Sequence, residues 1–77
     1  MKIAVYAILK DFFDKEFTLD QTFSSIDDLK SFLINKNPNA ARILSISRFA
    51  VDNEFVDNDY SLKANDNISI MPPSSGG

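Results

Sequence analysis

The chain of 77 residues contains no cysteine and no histidine. It therefore has no disulfides, no thiolate or imidazole metal ligands, no cysteine nucleophile and no histidine general base. Its two glycines are the last two residues, Gly76 and Gly77, although an average chain of this length carries roughly five. Acidic residues outnumber basic ones by 11 to 8. This balance argues against a nucleic-acid partner, because phosphate backbones require clustered lysine and arginine.

Long apolar runs are also missing, since none approaches the roughly 20 residues that span a membrane. The apolar stretch after Lys2 is followed at once by Lys10 and Asp11, without a small-residue cleavage site. We interpret it as a strand and not as a signal peptide, and we expect a cytoplasmic protein with no membrane association. With 44% apolar residues and seven phenylalanines, the chain can build one modest core in one domain.

The first half of the chain predicts two strands and a helix. Alternating side chains predict strands over residues 2–9 and 16–20. Both faces of the first strand are apolar, which is typical of a strand at the centre of a sheet. The spacing of apolar residues from Ile26 to Leu33 is helical. We expect this helix to begin after the capping residues Ser24 and Ser25 and to end at Asn37-Pro38.

The second half predicts three further strands, over residues 43–51, 54–56 and 67–71, with Asp52-Asn53 as a turn. One helix between strands, with a hairpin before it, indicates an α+β fold: a mixed sheet of about five strands with one main helix packed across it. The first and last strands can then lie side by side. The expected core comprises Phe17, Leu29, Leu33, Phe49, Leu62, Ile68 and Ile70.

No metal or catalytic site is predicted. The triplet Asp57-Asn58-Asp59 resembles the start of a calcium loop, but the required glycine and glutamate positions hold Leu62 and Ile68. We interpret the triplet as a solvated turn. The remaining charges are scattered and are expected on the surface, and we find no acid pair and no basic stripe among Asp14, Asp52, Asp66, Lys10, Arg42, Arg48 and Lys63.

One face of the sheet is a candidate docking surface. A single helix can cover only one of the two apolar faces of the first strand. The other face, together with Phe55 or Met71, is then either a hydrophobic patch for a partner or a surface that the chain's own loops cover.

The last six residues have the composition of a reactive tail. We divide the chain into a folded domain, residues 1–71, and a flexible tail, residues 72–77. Pro72 and Pro73 favour an extended arm, and the six residues reach roughly 20 Å at about 3.3 Å each. Glycine lets a narrow tunnel close on the backbone and leaves the terminal acyl carbon open to attack. The alternative is a frayed or artificial terminus, where serine and glycine are also common.

These residues carry a resemblance to a known family. Pro72-Pro73-Ser74-Ser75-Gly76-Gly77, preceded by Ile68-Ser69-Ile70-Met71, resembles the Pro-Pro-x-Ser/Thr-Gly-Gly ending of the MoaD-like sulfur carriers, the small subunits of molybdopterin synthase. The similarity extends through residues 50–56 and reappears in residues 6–11, where Lys10-Asp11 replaces the family's Arg-Glu. Residues 21–47 match only in pattern.

The resemblance implies a ubiquitin-like β-grasp fold and a carrier mechanism. An adenylating enzyme of the ubiquitin-activating type would use ATP and Mg²⁺ to convert the Gly77 carboxylate to an acyl-adenylate, and a sulfur donor protein would convert that to a thiocarboxylate. The tail (Pro72, Pro73, Ser74, Ser75, Gly76) would enter the synthase large subunit, within a heterotetramer, and Gly77 would deliver sulfur to the pterin precursor to form the molybdopterin dithiolene. Catalytic residues are expected on the large subunit, and this chain would bind no cofactor and no metal.

Two alternatives stay open. The first is a sulfur carrier for the thiazole of thiamine, which has the same chemistry and a different acceptor. The double proline argues against it, because Gly-Gly alone is shared among related carriers. The second is a ubiquitin-like modifier or plain binding module, whose tail either forms isopeptide bonds or has no role.

Overall fold

The computed structural model describes residues 1–73 and consists of one five-stranded sheet with two helices. Two short 3₁₀ helices, Ala7–Asp11 and Pro38–Ala40, connect regular elements. In chain order the strands and helices are β1 (Lys2–Val5), β2 (Glu16–Thr18), α1 (Ile26–Lys36), α2 (Ala41–Ile46), β3 (Arg48–Val51), β4 (Glu54–Val56) and β5 (Asn67–Met71).

The strands are ordered β2-β1-β5-β3-β4 in a mixed sheet. Strand β5 lies at the centre, parallel to β1 and antiparallel to β3. The outer pairs β1–β2 and β3–β4 are antiparallel. Asp52 and Asn53, with φ of 50° and 73°, form the tight turn between β3 and β4, and asparagine and aspartate tolerate this left-handed region best after glycine. The predicted α+β fold and the pairing of the first and last strands are confirmed.

One face of the sheet and helix α1 enclose the core. Ile3 of β1, Ile68 of β5 and Val51 of β3 are register neighbours, and all three belong to one buried cluster with Leu29 and Leu33 of α1. Five of the seven expected core residues are buried: Leu29, Leu33, Phe49, Ile68 and Ile70. The other two, Phe17 and Leu62, are only half-buried and pack at the edge of the cluster.

Helix α1 begins and ends where the sequence predicts. Ser25 is its N-cap, and the Asp28 N–H donates to Ser25 Oγ at 3.2 Å. The Ser24 hydroxyl donates to the Asp28 carboxylate. Asn37 ends the helix, and its N–H donates to the Leu33 carbonyl. Because Pro38 disfavours helical geometry at Asn37, whose φ is −141° and ψ is 85°, the helix stops there.

Replacing the N-cap should weaken the fold measurably. We expect Ser25→Ala to lower the free energy of unfolding by about 1 kcal/mol, because the N–H of the first helical turn loses its acceptor. Urea denaturation monitored by circular dichroism measures the change. The matched control is Ser31→Ala, an exposed position within α1, where alanine is the better helix former and stability should not fall. Equal losses for both variants would contradict the capping role.

The first strand is shorter than predicted. Strand β1 ends at Val5, and the chain turns at Ala7, whose φ is 55°. A 3₁₀ helix follows, and it returns the Leu9 side chain to the core, where it is fully buried. The prediction that residues 2–9 form one strand is therefore wrong. After Val5 the alternation no longer reports burial, because Tyr6, Ala7 and Ile8 are exposed and only Leu9 of this segment returns to the core.

Residues 43–46 form a helix and not the start of a strand. Helix α2 spans Ala41–Ile46, and β3 begins only at Arg48. The buried residues Ala40 and Leu44 are four apart, with Ile43 packed beside them, which is helical spacing. The strand prediction over residues 43–51 is thus wrong for its first half.

None of the helices formed by residues 1–73 has the length and apolarity that crossing a bilayer requires.

Candidate functional site

The predicted tail is attached to the central strand of the sheet. Ile68 and Ile70 of β5 are buried in the core, and the strand ends at Met71. Pro72 follows and is half-buried, and Pro73 is exposed. Since proline has no N–H to donate, the ladder cannot continue through this pair. The predicted roles of Ser74, Ser75, Gly76 and Gly77 concern residues outside the described part of the chain and stay predictions.

Within residues 1–73, no helix crosses the face of the sheet opposite α1. We call this surface the outer face; its central part comprises Ala4, Arg48, Ala50, Phe55, Ser69 and Met71, and the polar residues Lys2, Glu16, Thr18 and Asn67 lie on the same face towards β2. One row crosses four strands, because Ala4 pairs with Ser69, Ser69 with Ala50, and Ala50 with Phe55. Ala50 is buried yet stays outside the core cluster, so its neighbours on the outer face close over it.

Four large apolar side chains of the described residues are exposed on the outer face or in segments next to its strands. Phe55 is 50% exposed on the outer face, and Tyr6 is 46% exposed just beyond β1, where its N–H donates to the Ile70 carbonyl at 3.2 Å. Ile8 and Ile46 are also more than half exposed. Residues 1–73 thus leave Phe55 and Tyr6 partly exposed, and the docking role of the outer face stays a prediction.

Two candidate residues were not identified from the sequence. Arg48 was treated as an isolated cation, but it pairs with Met71 at the end of β5, and its guanidinium lies 3.8 Å from the centre of the Phe55 ring. Ile46 was assigned to a strand and lies instead on α2, exposed. The turn at Asp52-Asn53 could have identified Arg48 from the sequence. This turn sets the register of β3 and β4, which brings residues 48 and 55 to the same face of the sheet.

The acidic loop after β4 has a structural role. The Asp27 N–H, at the start of α1, donates to the Asn58 carbonyl at 2.9 Å, and Lys30 Nζ donates to Asn58 Oδ1 at 3.1 Å. The loop therefore anchors the first turn of α1, and the prediction of a turn at residues 57–59 is confirmed. Residues 1–73 contain no cluster of three acidic side chains that could hold a metal ion.

Asp66 is not a surface charge, contrary to the prediction. It is 8% exposed and closes the turn before β5, where its carboxylate accepts the Lys63 N–H at 2.8 Å. The Asp66 N–H donates back to the Lys63 carbonyl at 3.1 Å. The carboxylate is buried because it satisfies a backbone donor that the tight turn would otherwise leave unpaired. This turn fixes where the tail-bearing strand begins.

Comparison with known proteins finds a matching family and a relative of similar length. The model of the ThiS family matches residues 3–77. The molybdopterin synthase sulfur carrier subunit of Dictyostelium discoideum is 33% identical over 85 aligned positions, which cover 99% of this chain and 94% of the relative.

Two solved structures share the fold. One is the complex of subunits 1 and 2 of the molybdopterin-converting factor from Helicobacter pylori, with a TM-score of 0.70 and 19% identity, covering 99% of this chain and 96% of the matched chain. The other is SAMP1 from Haloferax volcanii, with a TM-score of 0.74 and 17% identity, covering 99% of this chain and 97% of that one. At these identities the matches establish the ubiquitin-like β-grasp architecture.

Proposed function

The chain belongs to the ThiS family, and on that premise we propose that it is a sulfur carrier, the small subunit of a molybdopterin synthase. The observation that carries the proposal is that the Pro-Pro-Ser-Ser-Gly-Gly ending follows the central strand β5 in the sequence, and that β5 ends at Met71 on the outer face, which exposes Phe55. The Dictyostelium discoideum relative is named a molybdopterin synthase sulfur carrier subunit. This name supports the pterin precursor of molybdopterin as the acceptor of the sulfur.

In this proposal the chemistry takes place at the Gly77 carboxylate. A bare carboxylate is a poor electrophile, so an adenylating enzyme first joins it to the AMP portion of ATP, with loss of pyrophosphate. A sulfur donor protein then replaces AMP, which leaves a thiocarboxylate on Gly77. The thiocarboxylate sulfur replaces an oxygen of the pterin precursor, and water then cleaves the bond between the Gly77 acyl carbon and sulfur, which restores the carboxylate. ATP and Mg²⁺ belong to the activating enzyme.

The folded domain supplies affinity, and the tail supplies the reacting atom. Ordering a six-residue tail in a partner costs much conformational entropy, so a folded surface must anchor it. The outer face lies where the tail begins and exposes the aromatic Phe55. We therefore assign the outer face to binding of the synthase large subunit, in a heterotetramer, with the catalytic side chains on that subunit.

Mass spectrometry tests the proposal directly. After incubation with the activating enzyme, ATP and a sulfur source, the terminus should gain the mass difference of sulfur for oxygen. The charged carrier should then convert the pterin precursor to the dithiolene when the molybdopterin synthase large subunit is added. Thiazole formation in place of pterin sulfuration would support the thiamine alternative. Attachment of Gly77 to lysine side chains, with no thiocarboxylate, would support a protein modifier.

A charge on the outer face should weaken binding to the large subunit. We expect Phe55→Asp to reduce affinity at least tenfold, because the exposed ring then no longer contributes apolar area at the interface. Isothermal calorimetry measures the effect. The matched control is Tyr60→Asp, since Tyr60 is also a partly exposed aromatic residue but lies in the loop after β4. Unchanged affinity for Phe55→Asp would show that the outer face is not the docking surface.

A further inference from the structure

Arg48 makes a cation–π contact with an aromatic ring on the outer face. Its guanidinium carbon lies 3.8 Å from the centre of the Phe55 ring. The register places Ala50 opposite Phe55, so residue 48 is the diagonal neighbour of Phe55 on the same face. The ring covers one side of the guanidinium, and no hydrogen bond joins its N–H donors to residues 1–73. The contact favours one position of the cation before any partner binds.

The free edge of this guanidinium has no anionic partner within residues 1–73. The ion pair found in this part of the chain joins Lys2 Nζ and Glu16 at 3.7 Å, and no side-chain hydrogen bond of Arg48 to the described residues occurs.

The cation lies between a cavity and the beginning of the tail. On one side, a cavity of about 270 Å³ opens beside Arg48 and Phe55 and is bordered by Ser47 and Asn58. On the other side, Arg48 pairs with Met71, the last residue of β5. Any protein that binds the tail at its origin must therefore come close to this guanidinium and remove water from it.

Removal of water from an unpaired guanidinium is costly, and this cost specifies the partner. A guanidinium buried at an interface without an acceptor destabilises the complex, whereas a bidentate carboxylate pair is among the strongest hydrogen-bonded contacts in proteins. Asp57 borders the same cavity but makes no ion pair with Arg48.

We propose that Arg48 is a specificity-determining residue of the outer face and pairs with an aspartate or glutamate side chain of the protein that receives the tail. This inference rests on the proposed function. The acidic side chain enters beside Phe55 and accepts two hydrogen bonds from the guanidinium edge. A protein that presents an apolar or basic residue at this point is rejected, because Arg48 would be buried unpaired.

The test measures binding of the molybdopterin synthase large subunit from the same organism at low and high salt. Arg48→Leu keeps an apolar side chain beside Phe55 and removes the charge. We expect it to weaken affinity about 10- to 100-fold at low salt, with a smaller dependence of affinity on salt than in the unmodified carrier. Arg48→Lys retains the charge and should restore part of the affinity. Arg42→Leu, at an exposed position on α2, is the matched control and should bind normally.

Each outcome separates this inference from the proposed function. If the unmodified carrier binds and Arg48→Leu matches it in affinity and salt dependence, Arg48 does not select the partner, although the carrier assignment stands. If Arg48→Leu and Arg48→Lys lose affinity equally with unchanged salt dependence, Arg48 acts only by packing on Phe55, and the inference is again wrong. If the unmodified carrier does not bind the large subunit at all, the proposed function fails first, and the inference fails with it.

Discussion

Deletion of Gly77 is expected to abolish sulfur transfer while leaving the fold intact. The strand pairing that holds β5 ends at Met71, and Pro73 is already exposed, so the free energy of unfolding should change little. The acyl carbon, however, would retreat by one residue, about 3.5 Å, from the reacting groups of the partner. Because misplacement of about 1 Å can cost a factor of 100 in rate, we expect activity to fall at least 100-fold.

The measurement combines mass spectrometry of the terminus with an assay of pterin sulfuration. Two further variants separate the carboxylate from the length of the tail. One residue added after Gly77 hides the carboxylate in an amide and should be as damaging as the deletion. Gly76→Val keeps the length but widens the tail and restricts its backbone, so it should also fail. If the extended chain supports sulfuration as well as the native one, the carrier proposal is wrong.

Truncation of α1 at its buried face should produce the largest loss of stability. Leu29 and Leu33 are fully buried between the helix and the sheet. We expect Leu29→Ala or Leu33→Ala to lower the free energy of unfolding by roughly 2–5 kcal/mol, from lost burial and the cavity left behind. Small domains have only about 5–15 kcal/mol in total, so either variant should unfold at a clearly lower urea concentration.

The matched control for the core variants is Ile46→Ala. Ile46 is 57% exposed at the end of α2, so the same kind of truncation removes little buried area there. Its free energy of unfolding should change by less than about 1 kcal/mol. A loss at Ile46 as large as that at Leu33 would mean that the core is not organised around α1 as described.

Local signals predicted α1 well, and tertiary context decided the remaining elements. The serines before Ile26 and the proline after Asn37 act through their immediate neighbours, so both ends of the helix could be predicted. Residues 43–46 have no comparable signal. Their apolar spacing fits a helix as well as a strand, and packing against the cluster around Leu44 decided between them. The end of β1 depends on the turn at Ala7, which no local residue preference favours.

The candidate site was predictable in part for similar reasons. The Pro-Pro-Ser-Ser-Gly-Gly ending is a linear pattern and can be identified without a structure. The residues of the outer face could not be identified from the sequence, because both faces of β1 are apolar and the pattern does not show which of them meets α1. The stacking of Arg48 on Phe55 depends on the register of the β3–β4 hairpin. The turn residues indicate this register, but the side-chain geometry of the pair does not follow from it.

The central position of β5 also has a consequence for synthesis of the protein on the ribosome. Residues 67–71 are translated after the other four strands, yet they lie between β1 and β3. Before they emerge, the nascent chain can form only the two outer strand pairs, and isolated two-stranded pairs are marginally stable in water. A product terminated before residue 67 therefore lacks both the tail and the strand that joins the two pairs. Such a fragment cannot assemble the outer face, so it cannot occupy the partner as an inactive competitor.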